Sequence, residues 1–280
     1  MKYYNIIFNI LLIILVLIVI YCIFRPTKKK NKNLDTFENK IKIDLVYTWV
    51  DDTDIEWKNV KNEYSNKIEN IPGRSKTKMR FKNNDEMRYS LRSIYKYAPW
   101  INNIYIVVYD GHIPDWINLN NPKINLVWHS KIFENTEHLP TFNSQAIECH
   151  IDNIPNLSEY FLYFNDDMML GNKLEISDLI HDNGKPYFLI DKKARTPDFF
   201  KSKPKSGHNW AWYNINNLLK NRMGINNKDG VYTLHQGRLY KKSLIKKIKK
   251  IFRKEFNDTS KSKFRSKNDI SPLGLISMVC

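Results

Sequence analysis

Residues 160–167 read YFLYFNDD, an aromatic and aliphatic run that ends in one amide and two carboxylates. A short apolar run of this kind, rich in Phe and Tyr, is typical of a buried β-strand. The stretch at residues 41–50, IKIDLVYTWV, is a second β-rich apolar run, and it stops at Asp51, Asp52 and Asp54. Because ligands of open α/β sheets bind beyond the carboxyl ends of the strands, both acidic ends are candidate ligand sites.

The segments between these two strands alternate between helical and extended patterns. A helix over residues 85–97 is predicted from apolar positions at i, i+4 and i+7 spacing, namely Met87, Leu91, Ile94, Tyr95 and Ala98. Strands are predicted over residues 104–109 and 123–128, and a second helix over residues 143–151. The resulting order of strands and helices favours an α/β sheet with crossover helices.

Two adjacent carboxylates, Asp166 and Asp167, have an electrostatic requirement. Neighbouring negative charges repel each other unless a positive group lies beside them. A hard divalent cation meets this requirement, because Mg²⁺ and Mn²⁺ take oxygen ligands and Mg²⁺ commonly combines one or two carboxylates with substrate phosphates. The alternative is a solvated turn in which the aspartates cap the next segment. On the helix predicted over residues 85–97, Arg88 and Arg92 point the same way and are candidates for binding one diphosphate.

The amino-terminal part of the chain predicts a membrane anchor. Residues 6–24 include Asn9 as the only strongly polar residue, and at about 1.5 Å per residue they nearly span a hydrocarbon core of about 30 Å. A cleaved signal peptide is the alternative, but the apolar run exceeds the usual length of about 7–15 residues and no Ala-x-Ala-like site follows it. We expect an anchor over residues 1–24, a basic linker over residues 25–40 and a folded domain over residues 41–280.

The composition limits the class of protein. With 42% hydrophobic and 13% aromatic residues the chain supplies ample surface for a core, which excludes overall disorder. Three cysteines exclude both a disulfide scaffold and a zinc cluster of thiolates. The formal net charge of +16 is compatible with an anionic partner, but nucleic acid, an anionic membrane, phosphorylated small molecules and a merely solvated Lys-rich surface all satisfy it.

A basic segment near the carboxyl terminus has two interpretations. Residues 241–254 (KKSLIKKIKKIFRK) place Leu244, Ile248 and Ile251 at helical spacing, with cations around the rest of the helix. Such a helix either lies on an anionic membrane surface or packs onto the protein by its apolar stripe.

Several long motifs, in order, resemble the Stealth family. They are residues 43–54 (IDLVYTWVDDTD), 80–116, 139–148 (LPTFNSQAIE), 160–171 (YFLYFNDDMMLG), 234–244 (LHQGRLYKKSL) and 259–271 (TSKSKFRSKNDIS). That family includes bacterial capsular polysaccharide phosphotransferases and the catalytic subunit of the lysosomal N-acetylglucosamine-1-phosphotransferase. The resemblance covers nearly all of residues 43–271, while the family's fourth region is nearly absent before Cys280.

The resemblance implies a glycosyltransferase-A-like, Rossmann-type α/β fold with flanking helices and a divalent metal, Mg²⁺ or Mn²⁺. It also implies transfer of a hexose-1-phosphate, of the N-acetylglucosamine-1-phosphate type, from a UDP-sugar to a glycan hydroxyl with release of UMP. Together with the candidates indicated by the residue pattern itself, the site residues fall into three groups. Those assigned to catalysis are Glu148, His235, Arg265 and Asp269. Those assigned to substrate binding are Asp51, Asp52, Arg88, Arg92 and Asn143. Those assigned to the metal are Asp166 and Asp167.

Some assignments have alternatives. His235 is the candidate general base, because the ordinary pKa of imidazole, about 6.5, suits proton transfer near neutrality. Alternatively, His235 binds a phosphate oxygen and Glu148 or Asp269 accepts the proton. The competing functions are a metal-dependent glycosyltransferase that releases UDP and a non-catalytic, membrane-tethered binder of anionic partners. No nucleic-acid partner is expected.

The compartment of the folded domain has two candidates. We expect a single-pass membrane protein. Resemblance to the lysosomal enzyme places its domain in the Golgi or ER lumen, whereas the bacterial relatives and the cations that follow residues 6–24 favour the cytoplasmic face.

Overall fold

The computed structural model describes residues 41–69, 71–72, 75–181, 183–188, 190–195, 204–225 and 231–279. The predicted anchor and linker, residues 1–24 and 25–40, lie outside the described residues. Within the described part of the chain, no helix is both long and apolar enough to cross a bilayer. Every described residue belongs to one compact unit that covers residues 40–280.

A five-stranded sheet forms the centre of the described fold. The strands, in chain order, are β1 (Ile43–Trp49), β2 (Ile104–Val108), β3 (Ile124–Trp128), β4 (Tyr160–Asn165), β5 (Ile190–Arg195), β6 (Val231–Thr233) and β7 (Arg238–Lys241). The central sheet has the order β3-β2-β1-β4-β7, and β5 pairs with β6 in a separate ribbon. The first four strands are parallel and β7 is antiparallel to β4. Because central parallel strands are buried on both faces, β1 and β4 read as continuous apolar runs.

The helices flank this sheet. In chain order they are α1 (Ile55–Lys67), α2 (Glu86–Tyr97), α3 (His129–Ile132), α4 (Ser144–Glu148), α5 (Gly207–Met223), α6 (Lys242–Ile251), α7 (Arg253–Ser260) and α8 (Pro272–Val279). The four central strands and helix α2 confirm the sequence prediction closely. The helix predicted over residues 143–151 is shorter, because α4 ends at Glu148 and a separate 3₁₀ turn follows at Ile151–Asn153. The mixed α/β architecture fits the expected glycosyltransferase-A-like fold.

Packing between the sheet and the carboxyl-terminal helices positions the site. Phe161 of β4 and Tyr240 of β7 are fully buried in one cluster with Trp212 of α5, Ile248 of α6 and Leu275 of α8. This cluster also includes residues of α4, the short helix that ends in Glu148. Packing of α5, α6 and α8 therefore holds the loop that carries Arg265 close to the carboxyl edge of the sheet.

Candidate active site

A cavity of about 400 Å³ lies beyond the carboxyl ends of the parallel strands. Trp49 at the end of β1, Tyr109 after β2, His129 after β3 and Asp166 after β4 all line it. Parallel strands bring residues that are more than a hundred positions apart in sequence to the same edge. This is the edge at which open α/β sheets bind their ligands.

Five of the predicted site residues line this cavity together. They are Glu148, Asp166, Asp167, His235 and Arg265. They come from separate segments of the chain, which the sheet and its packing helices join. The cavity is therefore the candidate active site.

The paired carboxylates lack compensating charge. Burial, then the neighbouring Asp167 and Glu86, raise the pKa of Asp166 to about 6. Among the described residues, neither Asp166 nor Asp167 has a salt-bridge partner. The same part of the chain contains no group of three or more His, Cys, Asp or Glu side chains able to hold a metal. Two adjacent carboxylates nevertheless offer oxygen ligands of the kind that Mg²⁺ takes together with phosphate and water.

Basic side chains line the same cavity and lie close to one another. Arg80, Arg238 and His208 line it together with Arg265. Although Arg80 is exposed as a residue, desolvation and then the nearby Arg265 lower its pKa to about 10. Burial, followed by the positive charges of Arg265 and Arg80, lowers the pKa of His208 to about 4, so that His208 is neutral. The mutual influence of these groups indicates a concentrated positive field, as an anion site requires.

Sequence reasoning missed three of these residues. Arg80 and Arg238 lie within the quoted motifs, where Arg238 follows His235 by three positions, so their motif membership was a usable signal. His208 lies outside every quoted motif, and its place depends on the packing of α5.

Glu148 has an environment suited to proton transfer. Desolvation raises its pKa to about 7, against the opposing influence of Arg265, Arg238 and the Leu273 backbone. A carboxyl group with a pKa near neutrality either donates or accepts a proton under physiological conditions. The structure therefore keeps Glu148 as a candidate acid or base.

His235 lies at the mouth of the cavity and is exposed. The Asn165 amide nitrogen lies 3.0 Å from His235 Nε2. An amide N–H donates, so His235 Nε2 accepts this bond in the tautomer that carries the ring proton on Nδ1.

Asp269 and Asn143 lie behind the cavity rather than in its wall. The fully buried Asp269 carboxylate accepts hydrogen bonds from Asn143 Nδ2 (2.8 Å), Ser262 Oγ (2.6 Å), Ser266 Oγ (2.6 Å) and the Ser266 backbone N–H (2.8 Å). Asn143 also caps α4, by accepting from the Gln145 backbone at 3.1 Å. The structure thus places both residues as supports that join α4 to the loop carrying Arg265.

The aspartates that follow β1 accept hydrogen bonds that stabilise the local backbone. Asp51 Oδ1 accepts from Thr53 N at 2.8 Å, and Asp52 Oδ1 accepts from Asn83 N at 3.1 Å. Asp54 caps α1 through a 2.7 Å bond from Trp57 N. Asp51 and Asp52, predicted to bind substrate, lie next to the cavity but outside its lining.

The two arginines of α2 that were predicted to bind a diphosphate lie outside the cavity. Arg88 and Arg92 line a separate groove that shares no residue with the cavity. Arg88 pairs with Asp85 at 3.3 Å and lies over the Trp116 ring. The physical reason is that helical spacing decides which residues share a face, whereas packing against the sheet decides which face turns toward the site.

Neutral polar groups also line the cavity. Trp49, His129 and Gln145 are each at least nine-tenths buried and line it. Trp49 Nε1, Gln145 Oε1 and both ring nitrogens of His129 have no hydrogen-bond partner in the described part of the chain. Burial lowers the pKa of His129 to about 4, so the ring is neutral. A buried polar group without a partner costs folding free energy. These atoms are therefore candidates for hydrogen bonds to a ligand.

Comparison with known families matches three regions of the chain. Models of Stealth protein conserved regions 1, 2 and 3 match residues 42–69, 80–188 and 234–275, respectively. Of the cavity residues discussed above, His208 alone lies outside these regions.

Named relatives cover different parts of the chain. A capsular polysaccharide phosphotransferase of Haemophilus influenzae is 33% identical over 252 residues, which cover 88% of this chain and 68% of the relative. An exopolysaccharide phosphotransferase of Streptomyces coelicolor is 37% identical over 82% of this chain but 37% of its own length. The human N-acetylglucosamine-1-phosphotransferase subunits alpha/beta are 50% identical over 111 residues, which cover 39% of this chain and 9% of the relative. The chain therefore spans two thirds of one relative and much less of the others.

Proposed function

Because the chain belongs to the Stealth family and is accordingly a phosphotransferase, we propose that it transfers a sugar-1-phosphate from a UDP-sugar to a hydroxyl of a glycan or polysaccharide. The released product is UMP, and the donor is of the UDP-N-acetylglucosamine type. The observation that carries this proposal is the cavity itself, where paired carboxylates and three arginines meet at the carboxyl edge of the sheet.

The three arginines of the cavity would neutralise the negative charge of the donor's pyrophosphate. The oxygens of a pyrophosphate are anionic and repel a nucleophile, so the protein must neutralise charge and align the reacting groups. Arg80, Arg238 and Arg265 supply that charge. The acceptor oxygen bonds to the phosphorus that bears the sugar, and the oxygen that bridges the two phosphates leaves with UMP. Since no bond to the anomeric carbon breaks, the sugar keeps its configuration.

The acceptor proton goes to His235 in this proposal. With its ring proton on Nδ1, His235 would accept this proton at Nε2, the atom that lies 3.0 Å from the Asn165 amide nitrogen, once the acceptor hydroxyl replaces the amide. Glu148 is the alternative base, supported by its pKa of about 7. Its burial, which favours the neutral acid against the influence of Arg265 and Arg238, equally suits a protonated carboxyl that donates to a phosphate oxygen.

Asp166 and Asp167 would hold Mg²⁺ or Mn²⁺. A bound divalent cation would add positive charge and Lewis acidity at the phosphates. The support for this site is the uncompensated pair of carboxylates in the cavity wall.

The donor would lie along the strand ends. Adjacent strands are about 4.8 Å apart, so the edge from β3 to β4 measures about 14 Å, which suits an extended nucleoside diphosphate. The neutral groups of Trp49, His129 and Gln145 match the carbonyl and N–H groups of uracil, whereas the arginines match the phosphates.

A nucleotide-release assay tests the proposed reaction. The full-length chain is incubated with Mg²⁺, UDP-N-acetylglucosamine and simple glycosides, and the released nucleotide is identified by mass spectrometry. We expect UMP. Release of UDP would instead indicate a glycosyltransferase. Absence of any nucleotide, with polyanion binding that survives Asp167→Ala, would indicate a non-catalytic binder.

Residues 6–24 would anchor the enzyme in a membrane as a single-pass protein. The apolar composition of this segment supports the anchor. The cations that follow this segment support a cytoplasmic domain, whereas the resemblance to the lysosomal enzyme supports a lumenal one.

A further inference from the structure

A second groove, of about 490 Å³, adjoins the candidate active site. It shares Asp167, Met168 and His235 with the cavity, so these three residues form the wall between the two spaces. The rest of its lining includes Met169, Asn172, Asp178, Tyr187, Gln236 and Gly237. The groove therefore meets the cavity at the proposed base and at one proposed metal ligand.

The wall between the two spaces has a consequence for displacement at phosphorus. In phosphoryl transfer the attacking and leaving oxygens lie roughly in line on opposite sides of the phosphorus. If the leaving UMP occupies the cavity, the acceptor approaches from the other side. Given the proposed function, we propose that this second groove binds the acceptor, as one neutral pyranose ring whose hydroxyl reaches His235.

The chemistry of the groove fits a sugar ring. Tyr187 and Met169 offer apolar surface, since they are 44% and 50% exposed. Asn172 and Gln236 add amide donors and acceptors beside this surface. A pyranose presents an apolar face and a rim of hydroxyls, and sites that combine an aromatic surface with a few polar groups suit such ligands.

The charge of the groove favours a neutral acceptor. None of the described residues that line it is Lys or Arg, and it contains the carboxylate of Asp178 beside that of the proposed metal ligand Asp167. Asp178 also accepts from the Glu175 backbone at 3.1 Å, which holds the loop in place. A phosphorylated or carboxylated sugar would find no Lys or Arg among the described residues of this groove, in contrast to the arginine-lined cavity.

Close packing places His235 at the junction. A Cβ atom on Gly237 would overlap Cε1 of Phe164 in β4, so only glycine lets this loop rest on the strand. That contact holds the loop with His235 and Gln236 along the boundary between cavity and groove.

Acceptor kinetics test the groove. The full-length wild type, Tyr187→Ala and Gln236→Ala are assayed for UMP release with the methyl glycosides of glucose, galactose, mannose and N-acetylglucosamine. We expect at least one glycoside to accelerate the wild type, and each variant to raise the KM for that glycoside about tenfold more than the KM for the donor. Tyr95→Ala, at a tyrosine that is 86% exposed on α2, is the matched control and should change neither constant. If the wild type releases UMP, then no acceleration by any glycoside, or equal effects on both KM values, would overturn the assignment.

A binding measurement separates this inference from the proposed reaction. In methyl-labelled methionine NMR of the full-length chain, the accelerating glycoside should shift the Met169 signal and leave that of Met79 unchanged. If the wild type releases no UMP, the reaction is wrong, and the four glycosides tested by NMR still decide the groove. If UMP is released but Met169 does not shift and the acceptor KM is insensitive to Tyr187→Ala, the groove assignment is wrong while the reaction stands.

Discussion

Two carboxyl groups that were both predicted to be catalytic differ in their surroundings. Asp269 accepts four hydrogen bonds, which oppose the rise in pKa that burial causes. Glu148 has fewer such bonds, and desolvation raises its pKa to about 7. Hydrogen-bond donors stabilise a buried carboxylate, and their scarcity favours the protonated acid. Glu148 is thus suited to proton transfer, whereas Asp269 positions Arg265 through the loop that joins them.

Glu148→Gln should change the pH dependence of stability. Because the folded pKa lies above the ordinary value of 4.5, the folded state binds the proton more tightly than the unfolded state does. Glu148 therefore costs stability progressively as pH rises from about 4.5 to about 7, by up to about 3 kcal/mol. We expect the variant to melt at a higher temperature than the wild type at pH 8 and at nearly the same temperature at pH 5. An identical difference at both pH values would show that the pKa of Glu148 is not raised.

Asp167→Asn should weaken binding of the divalent cation. Mn²⁺ binding by the full-length chain is measured by electron paramagnetic resonance, and UMP release is measured in parallel. We expect weaker Mn²⁺ binding and a fall of more than about 100-fold in kcat, because one charged oxygen ligand is lost. Asp51→Asn is the control, since that carboxylate serves a turn outside the cavity. Unchanged Mn²⁺ affinity in Asp167→Asn would remove Asp167 from the metal site.

At the scale of elements, the basic helix α6 was predicted either to lie on an anionic membrane surface or to pack onto the protein by its apolar stripe. Ile245 and Ile248 are buried in the main core, while Ile251 is half exposed. The apolar stripe of this basic helix therefore packs onto the sheet, which confirms the surface-helix interpretation. Its lysines surround the stripe, as in an ordinary amphipathic surface helix.

Gly237→Ala should destabilise the contact between β4 and the loop before β7. The added methyl group overlaps the Phe164 ring, so the ring or the loop must move. We expect a loss of about 1–3 kcal/mol in the free energy of unfolding, measured by urea denaturation. Gly171→Ala is the matched control, because a Cβ atom at that position would meet no other atom within 4 Å. Equal stabilities of the two variants would contradict the close packing of Gly237 on Phe164.

At the scale of the whole molecule, positive charge is widespread, but it is distributed unequally between the cavity and the adjoining groove. The chain has a formal net charge of +16. Arg80, Arg238 and Arg265 face the cavity, whereas none of the described residues in the adjoining groove is Lys or Arg. Net charge therefore attracts anions to the molecule, and the local arrangement of charges decides where a phosphate binds.

Removal of residues 1–40 should separate membrane association from folding. The described residues contain their own core, so a chain of residues 41–280 should unfold within about 2 °C of the full-length protein. The full-length chain should sediment with membranes and resist extraction by alkaline carbonate, whereas residues 41–280 should remain in the supernatant. Release of the full-length chain by carbonate would contradict the anchor.

Local sequence patterns determined much of the architecture. The apolar runs of β1 and β4 predicted central strands, and the acidic ends of both runs predicted a ligand site at the carboxyl edge. The ordered motifs also identified the family. These features are readable because strand burial and strand termination depend mainly on neighbouring residues in the chain.

Only the tertiary structure decided which side chains serve the site. It placed Arg80 and Arg238 in the cavity, turned Arg88 into another groove and gave Asp269 a supporting position. It also raised the pKa of Glu148 through burial by distant segments. Sequence periodicity determines which residues share a face of a helix, but the face that meets a site, and the desolvation found there, arise from packing among segments far apart in the chain.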